Sequence, residues 1–482
     1  MRSIQHKIRL RGGSAFIVFA LLSIFSLASC GIYSRYSRPD LEVLADTVPT
    51  VMDTSRMDSS LKDSTAVRDS SLFTLHSSLP SIAPHAFFTD PCLQVLLDSA
   101  LSRNTDLRTA YLTVEQAQAQ LIAARLAYLP SLDFDAQGAL SRFNGSTTKT
   151  YDIGLAAEWD IDLFGKITNA KLQALAAYEG DIAYADAVKA HLVSSVAETY
   201  YTLLALDAQI SISEQTLSLW DTTITMLQAL VAAGQSNDVA VLQARADRNA
   251  LDASILTLKQ TRTETENTLC SLLRLPAHPI LRGTLEDQAF PIELTTSVSL
   301  QALCTRPDVR QAEADLKEAF YAHNAARSAF YPQVTLSGTL GWTNGSSGIV
   351  NPGKWLSEAI ASLTAPLFDR GTLHANLTTA RAAQDQATLA FEQTLLDASF
   401  EVNNALIECQ TARQRITLDR QQVDDLAEAV RKTDLLVRHS SANYLEVLTA
   451  QQSLLDAQLT LADDQAALCQ GIAHLYAALT TP

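Results

Sequence analysis

Nine histidines and six cysteines are the residues of this chain best suited to chemistry, and their spacing offers little of it. No two histidines stand close enough to form a His-x-x-x-His metal pair on one helix face. The sequence has no C-x-x-C, no G-x-x-x-x-G-K-[ST] and no G-x-S-x-G. Thiol redox, phosphate cradling and a serine nucleophile therefore lack their usual residues. An enzyme is disfavoured, and no catalytic set, metal or cofactor is expected.

One cysteine is placed for a different chemistry. Arg2, Lys7, Arg9 and Arg11 precede an apolar run from Ala15 to Phe25, which is far short of the ~20 residues of a spanning helix. This reads as a signal peptide over residues 1–29. It ends in Leu27-Ala28-Ser29-Cys30-Gly31, a lipobox-like pattern in which Cys30 becomes the acylated N-terminus. Acyl chains would anchor the protein to a membrane without a transmembrane helix. Residues 30–86, rich in Ser, Thr and Asp, cannot bury enough apolar surface to fold alone and read as a tether.

The composition bounds the rest. The chain has 482 residues, 47% of them hydrophobic, and a formal charge of −16. An acidic chain is a poor nucleic-acid partner, because phosphate binding needs a basic face. With 17 Gly and 14 Pro, turns are too sparse for an all-β protein, and long stretches of Ala, Leu and Gln point to long helices. The fold class is mixed and mainly α.

The elements come in two copies. Ala124-Arg125-Leu126-Ala127-Tyr128-Leu129-Pro130 returns as Ala326-Arg327-Ser328-Ala329-Phe330-Tyr331-Pro332. Leu163-Phe164-Gly165 returns as Leu367-Phe368-Asp369-Arg370-Gly371, and Val239-Ala240-Val241-Leu242 as Leu445-Glu446-Val447-Leu448. All three landmarks repeat roughly 200 residues apart, the mark of a duplication. The first repeat spans 87–298, with strands about 131–162 and helices about 167–273. The second spans 299–482, with strands about 333–367 and helices about 373–479.

In each repeat two strands alternate apolar and polar residues, as in Tyr151, Ile153, Leu155, Ala157 and Trp159 against Asp152, Gly154, Ala156, Glu158 and Asp160. Asn144-Gly145-Ser146 suits a hairpin turn. Strands of about ten residues fit a tilted membrane crossing, with Trp159, Trp342 and Trp355 as girdle residues. After Gly165 and Gly371, the strand-to-helix turns, come helical runs of ~90 Å at 1.5 Å per residue. Small and apolar residues striping those runs (Ala185, Leu192, Val196, Leu203; Leu377, Ala380, Leu389, Leu396) are expected to pack helix on helix. Their tips fall near Gly234 and His439-Ser440-Ser441. Cys409 and Cys469 lie symmetrically about the second tip, and buried free thiols are expected there. Four strands cannot close on themselves in hydrocarbon, so copies must complete the wall. Two chains would give eight strands and three would give twelve.

Several landmarks together resemble the TolC family of outer-membrane efflux proteins, in its lipoprotein branch serving resistance-nodulation-division pumps. They are Phe88-Thr89-Asp90-Pro91, Ala-Arg-x-Ala-[Tyr/Phe]-x-Pro in both repeats, Trp159-Asp160-Ile161-Asp162-Leu163-Phe164-Gly165 and Tyr444-Leu445-Glu446-Val447-Leu448. The resemblance implies a homotrimer in which long antiparallel helical hairpins form a periplasmic α-barrel beneath a twelve-stranded membrane β-barrel. An equatorial belt would come from Leu275 to Cys304 and the termini. It implies a periplasmic adaptor, an inner-membrane pump and outer-membrane lipid as partners. Adaptor docking would fall on Gly234, Asp238, His439, Ser440 and Tyr444. The periplasmic gate maps to Leu445, Glu446 and Thr449, with Thr449 replacing the family's Asp and Ser440 its tip Gly. The function so implied is a passive exit duct. The alternatives are a type I secretion duct and a non-conducting structural lipoprotein.

Overall fold

A computed structural model describes residues 35–39, 84–234, 238–288, 290, 303–343, 354–438 and 444–479. The signal peptide, Cys30 and most of the Ser/Thr/Asp-rich segment lie outside these residues, as do His439 and Ser440. In chain order the elements are α1 (Pro84–Phe87), α2 (Pro91–Arg103), α3 (Thr105–Leu126), β1 (Ser131–Phe143), β2 (Ser146–Ile161), α4 (Lys166–Ala232), α5 (Asp238–Leu272) and α6 (Pro307–Ser328). They continue as β3 (Gln333–Thr343), β4 (Lys354–Thr364), α7 (Thr372–Arg438) and α8 (Tyr444–Leu479). The described residues form two compact units. One is built from Thr113–Asp181, Gln311–Phe391 and the segment 35–39; the other from Ile182–Arg310, Glu392–Pro482 and the residues from Pro84 to Leu112.

Local chemistry sets the element ends. Asp90 caps α2, accepting from the Cys92 amide at 2.8 Å, and Pro91 holds the first helical position. Asn104 ends α2 and starts α3: its side-chain oxygen accepts from the amides of Asp106 and Leu107, while its Nδ2 donates to the Leu272 carbonyl. Asn144 and Gly145 take positive φ of 49° and 84°, a two-residue turn whose twist suits the β1–β2 hairpin. Helices α4 and α7 each run 67 residues without a proline, ~100 Å at 1.5 Å per residue.

The second unit has its core inside the chain. Phe87, Phe88, Tyr200, Leu203, Leu204, Cys409 and Tyr476 are all buried, with Phe87 and Tyr476 rings 5.2 Å apart. Tyr200 donates its hydroxyl to Asp90 at 2.6 Å and receives the Gly283 amide at 3.0 Å. Buried Arg306 ties the start of α6 to the middle of α7 and the C-terminus of α8, donating to Asp308, Glu401 and the Ala478 carbonyl. The second-repeat stripe differs from expectation at Leu389, which is exposed. Phe391, Leu395, Ala398 and Val402 are buried instead. Two residues along a helix is about 200° of rotation, so Leu389 and Phe391 point to opposite sides.

Candidate functional site

The four strands pair antiparallel in the order β1-β2-β3-β4. Period-two geometry sorts their side chains by face. On one face Phe134 pairs Leu155, Leu155 pairs Leu340, Trp159 pairs Leu336, and Trp342 pairs Trp355. This face is apolar from strand to strand, and most of its large residues are exposed, with Leu336 half-buried. The Trp342 and Trp355 rings meet edge to face at 5.2 Å, and Trp159 donates its indole N–H to the Tyr128 carbonyl. The opposite face carries Asp133, Asp135, Asp152, Glu158, Asp160 and Glu358 among Ser, Thr and Gly, with Leu356 and Ile360 its large apolar residues on β4. Gly154 and Gly341 sit opposite each other there; a Cβ on Gly341 would stand 2.3 Å from the Ile153 carbonyl oxygen, so neither tolerates a side chain. An apolar face beside an acidic one suits a wall with lipid on one side and water on the other.

Gly165 and Gly371 both take left-handed backbone, at φ of 73° and 85°, where strand turns into helix. Asp162 caps α4, accepting from the amides of Ile167 and Thr168 and from the Thr168 hydroxyl.

At the helical tips Gly234 follows α4 with φ of 73°, and exposed Asp238 opens α5. Tyr444 opens α8. Leu445, Glu446 and Thr449 are all exposed, and the Thr449 hydroxyl donates to the Leu445 carbonyl at 2.8 Å. Glu446 lies in the first turn of α8, where the helix dipole favours a carboxylate. Val447 and Leu448 turn inward, Leu448 joining Ile224, Leu227, Ala240, Val241 and Ala244 in a small buried cluster.

Several contacts here carry no local sequence signal. Buried Gln451 donates to Thr223 at 3.1 Å, tying α8 to α4 beside the tip. Asp464, almost fully buried, meets the carboxyl of Asp419 and an Arg415 guanidinium at 2.7 Å. Burial, then the hydrogen bond with Asp419, push Asp464 up to about 6 against the pull of Arg415. His474 sits between Glu198 and Glu408, 3.4 and 3.3 Å from its two ring nitrogens. The five described cysteines are free thiols. Burial pushes Cys409 up to about 11 and Cys469 up to about 12, so both stay protonated and unreactive. Within the segment expected as tether, Tyr36 and Arg38 pack on α6: Arg38 pairs with Glu313, and the Tyr36 ring lies edge-on to Phe320 at 5.7 Å. Among the described residues no cluster of His, Cys, Asp or Glu could hold a metal ion, and no helix is long and apolar enough to cross a membrane.

The outer membrane efflux protein family model matches twice, over residues 96–273 and 298–481, one match per repeat. The chain belongs to the outer membrane efflux protein family. Among its efflux relatives, the cation efflux system protein CusC of Escherichia coli K12 is 30% identical over 401 residues, 82% of this chain and 87% of that protein. The probable outer membrane lipoprotein SilC of Salmonella typhimurium is 30% identical over 385 residues, 78% of this chain and 83% of that one. The crystal structure of CusC superposes with a TM-score of 0.81 at 28% identity, covering 94% of this chain and all of that one. The open outer membrane channel MtrE of Neisseria gonorrhoeae gives 0.79 at 27% identity, covering 94% and 98%. This efflux-family chain is an outer-membrane channel, and its mainly helical fold with four antiparallel strands is the fold of that family.

Proposed function

We propose that three copies of this chain close a twelve-stranded barrel and serve as the passive exit duct of a tripartite efflux system. The observation that carries this reading is the sheet itself. Among the described residues, strands β1 and β4 pair on one side only, and one face is apolar over most of its length. Hydrocarbon does not tolerate an open strand edge, so the edge of one copy meets the edge of the next. Cys30 adds a covalent lipid anchor and needs no other cofactor. A periplasmic adaptor docks at the tips, around Gly234, Asp238, His439, Ser440 and Tyr444, and connects the duct to an inner-membrane pump.

Leu445, Glu446 and Thr449 ring the periplasmic aperture in this reading. Like carboxylates gathered on a threefold axis repel, so Glu446 favours opening or cation binding. Thr449, where the family usually carries Asp, takes one carboxylate per copy out of that ring, so the repulsion there rests on Glu446 alone.

The test is mass and conductance together. Detergent-purified chain should run as a trimer that changes mobility on heating and give discrete conductance steps in a planar bilayer. Glu446→Gln should alter the cation preference of those steps. A conductance-silent monomer overturns the proposal.

A further inference from the structure

The duplication places the same structural junction in the chain twice, and only one copy of it is complete. The complete one joins the strand-to-helix turn of the first repeat to the helix-to-strand turn of the second. There Phe164 stacks on Tyr331 with centroids 5.1 Å apart and planes 14° apart. Lys166 donates to Gln333 at 3.2 Å, and Thr335 donates to Asp160 at 2.8 Å. These turns meet because β2 and β3 are neighbours in the middle of the sheet.

The other pair of turns belongs to the outer strands. Leu367 and Phe368, which repeat Leu163 and Phe164, follow β4 and are 98% and 88% exposed. Leu129, which repeats Tyr331, precedes β1 and is 61% exposed, with Leu126 exposed beside it. Within one chain these halves lie at opposite edges of the sheet and do not meet. Two adjacent large apolar side chains standing almost wholly free of their own chain are the mark of an interaction surface.

We propose that Leu367 and Phe368 form an inter-subunit plug. It seats on Leu126 and Leu129 of the partner subunit and rebuilds between copies the junction that Phe164 and Tyr331 make within one. The occupant is a second copy of this chain, because its β1 turn is the surface that duplication matches to this plug. The inference rests on the trimeric reading above and adds the residues that hold the seam. On this view the seam sets one aromatic ring, Phe368, against leucines where the internal junction stacks two rings, Phe164 on Tyr331.

The experiment separates this inference from the reading beneath it. In purified full-length protein, Leu367→Ser with Phe368→Ser should raise the trimer's dissociation constant at least tenfold, read by light scattering across a dilution series. Leu129→Cys with Phe368→Cys, oxidised with copper phenanthroline, should give linked dimers and trimers on a non-reducing gel. Phe164→Cys with Tyr331→Cys should link only within one chain. Intact trimers that never link through 129 and 368, or whose dilution curve ignores the serine variants, overturn the plug and leave the trimer standing. An unchanged dilution curve with weakened membrane retention assigns Leu367 and Phe368 to lipid and overturns it equally. A monomeric parent protein overturns both.

Discussion

Phe88, Tyr200, Leu203 and Leu227 in the helical unit are fully buried, whereas Phe134, Leu140 and Leu363 on the sheet are 71%, 71% and 69% exposed. The side chains are alike in kind, and the same hydrophobic effect acts on both. What differs is where their cover comes from. The helical hairpins find neighbours within the chain: α2, the middle of α4 and the C-terminal part of α8 close over one aromatic cluster. The sheet has an acidic face and an apolar face, and its own chain covers the apolar face only in part. One region is completed by its own sequence; in the proposed assembly the other is completed by lipid and further copies.

The largest test of that contrast is a pair of truncations. Phe88→Ala should cost about 3–5 kcal/mol, since it empties a filled core site. Phe134→Ala, at a ring that touches little of its own protein, should stay within about 0.5 kcal/mol. Thermal unfolding in detergent reads both, and equal losses would mean that the sheet face is packed on protein.

A second pair asks which side of the sheet meets lipid. Leu155→Arg places a charge on the apolar face and should impose about 2–4 kcal/mol against membrane assembly. Ala156→Arg, one residue on and opposite Asp133, should assemble almost normally. Folding yield into vesicles is the readout. If the two results exchange places, the faces have been assigned backwards.

The helical unit carries a charge cost that the sheet does not share. Asp464 is pushed up to about 6 from 3.8 by burial and by Asp419, with Arg415 and Asp463 the other charged groups around it. A carboxyl raised in the folded state contributes stability below its ordinary value and loses it as pH rises through the folded one. The helical unit should therefore unfold at lower temperature at pH 7.5 than at pH 5, and Asp464→Asn should flatten the change. A variant that keeps the full slope would place its source elsewhere.

How far each region could be read from the sequence follows the same division. Strand alternation, the Asn144-Gly145 turn and the glycines at 165 and 371 are local signals, and the structure carries each of them. The long helices were legible from unbroken helical runs. Their buried faces were less so: Leu389 looked like a core residue because a 67-residue helix drifts relative to any fixed spacing, and two residues turn a side chain to the other side. The Asp419–Asp464 contact, the Gln451–Thr223 bond and the packing of Tyr36 and Arg38 on α6 join residues far apart in the chain. No periodicity encodes such pairs. At the tip, sequence pointed to Leu445, Glu446 and Thr449, and what lies under them became visible only with the fold.

The tip is the intermediate case between buried core and bare sheet, and it carries the smallest expected effect. Six buried residues, Ile224, Leu227, Ala240, Val241, Ala244 and Leu448, hold it from within, a much smaller cluster than the main core. Beside them the Gln451 side chain, almost fully buried, donates to the Thr223 hydroxyl. Segments that open for function are drawn from the least stable parts of a structure, and few buried contacts make opening cheap. One hydrogen bond of this kind is worth about 0.5–1.5 kcal/mol. Gln451→Ala should therefore leave the global unfolding temperature nearly unchanged while speeding amide exchange at the start of α8 and the end of α4 by roughly three- to tenfold. Exchange that rises equally in the Phe88 core would show that tip and core open as one unit. Exchange that does not rise at all would mean the apolar cluster alone holds the tip shut.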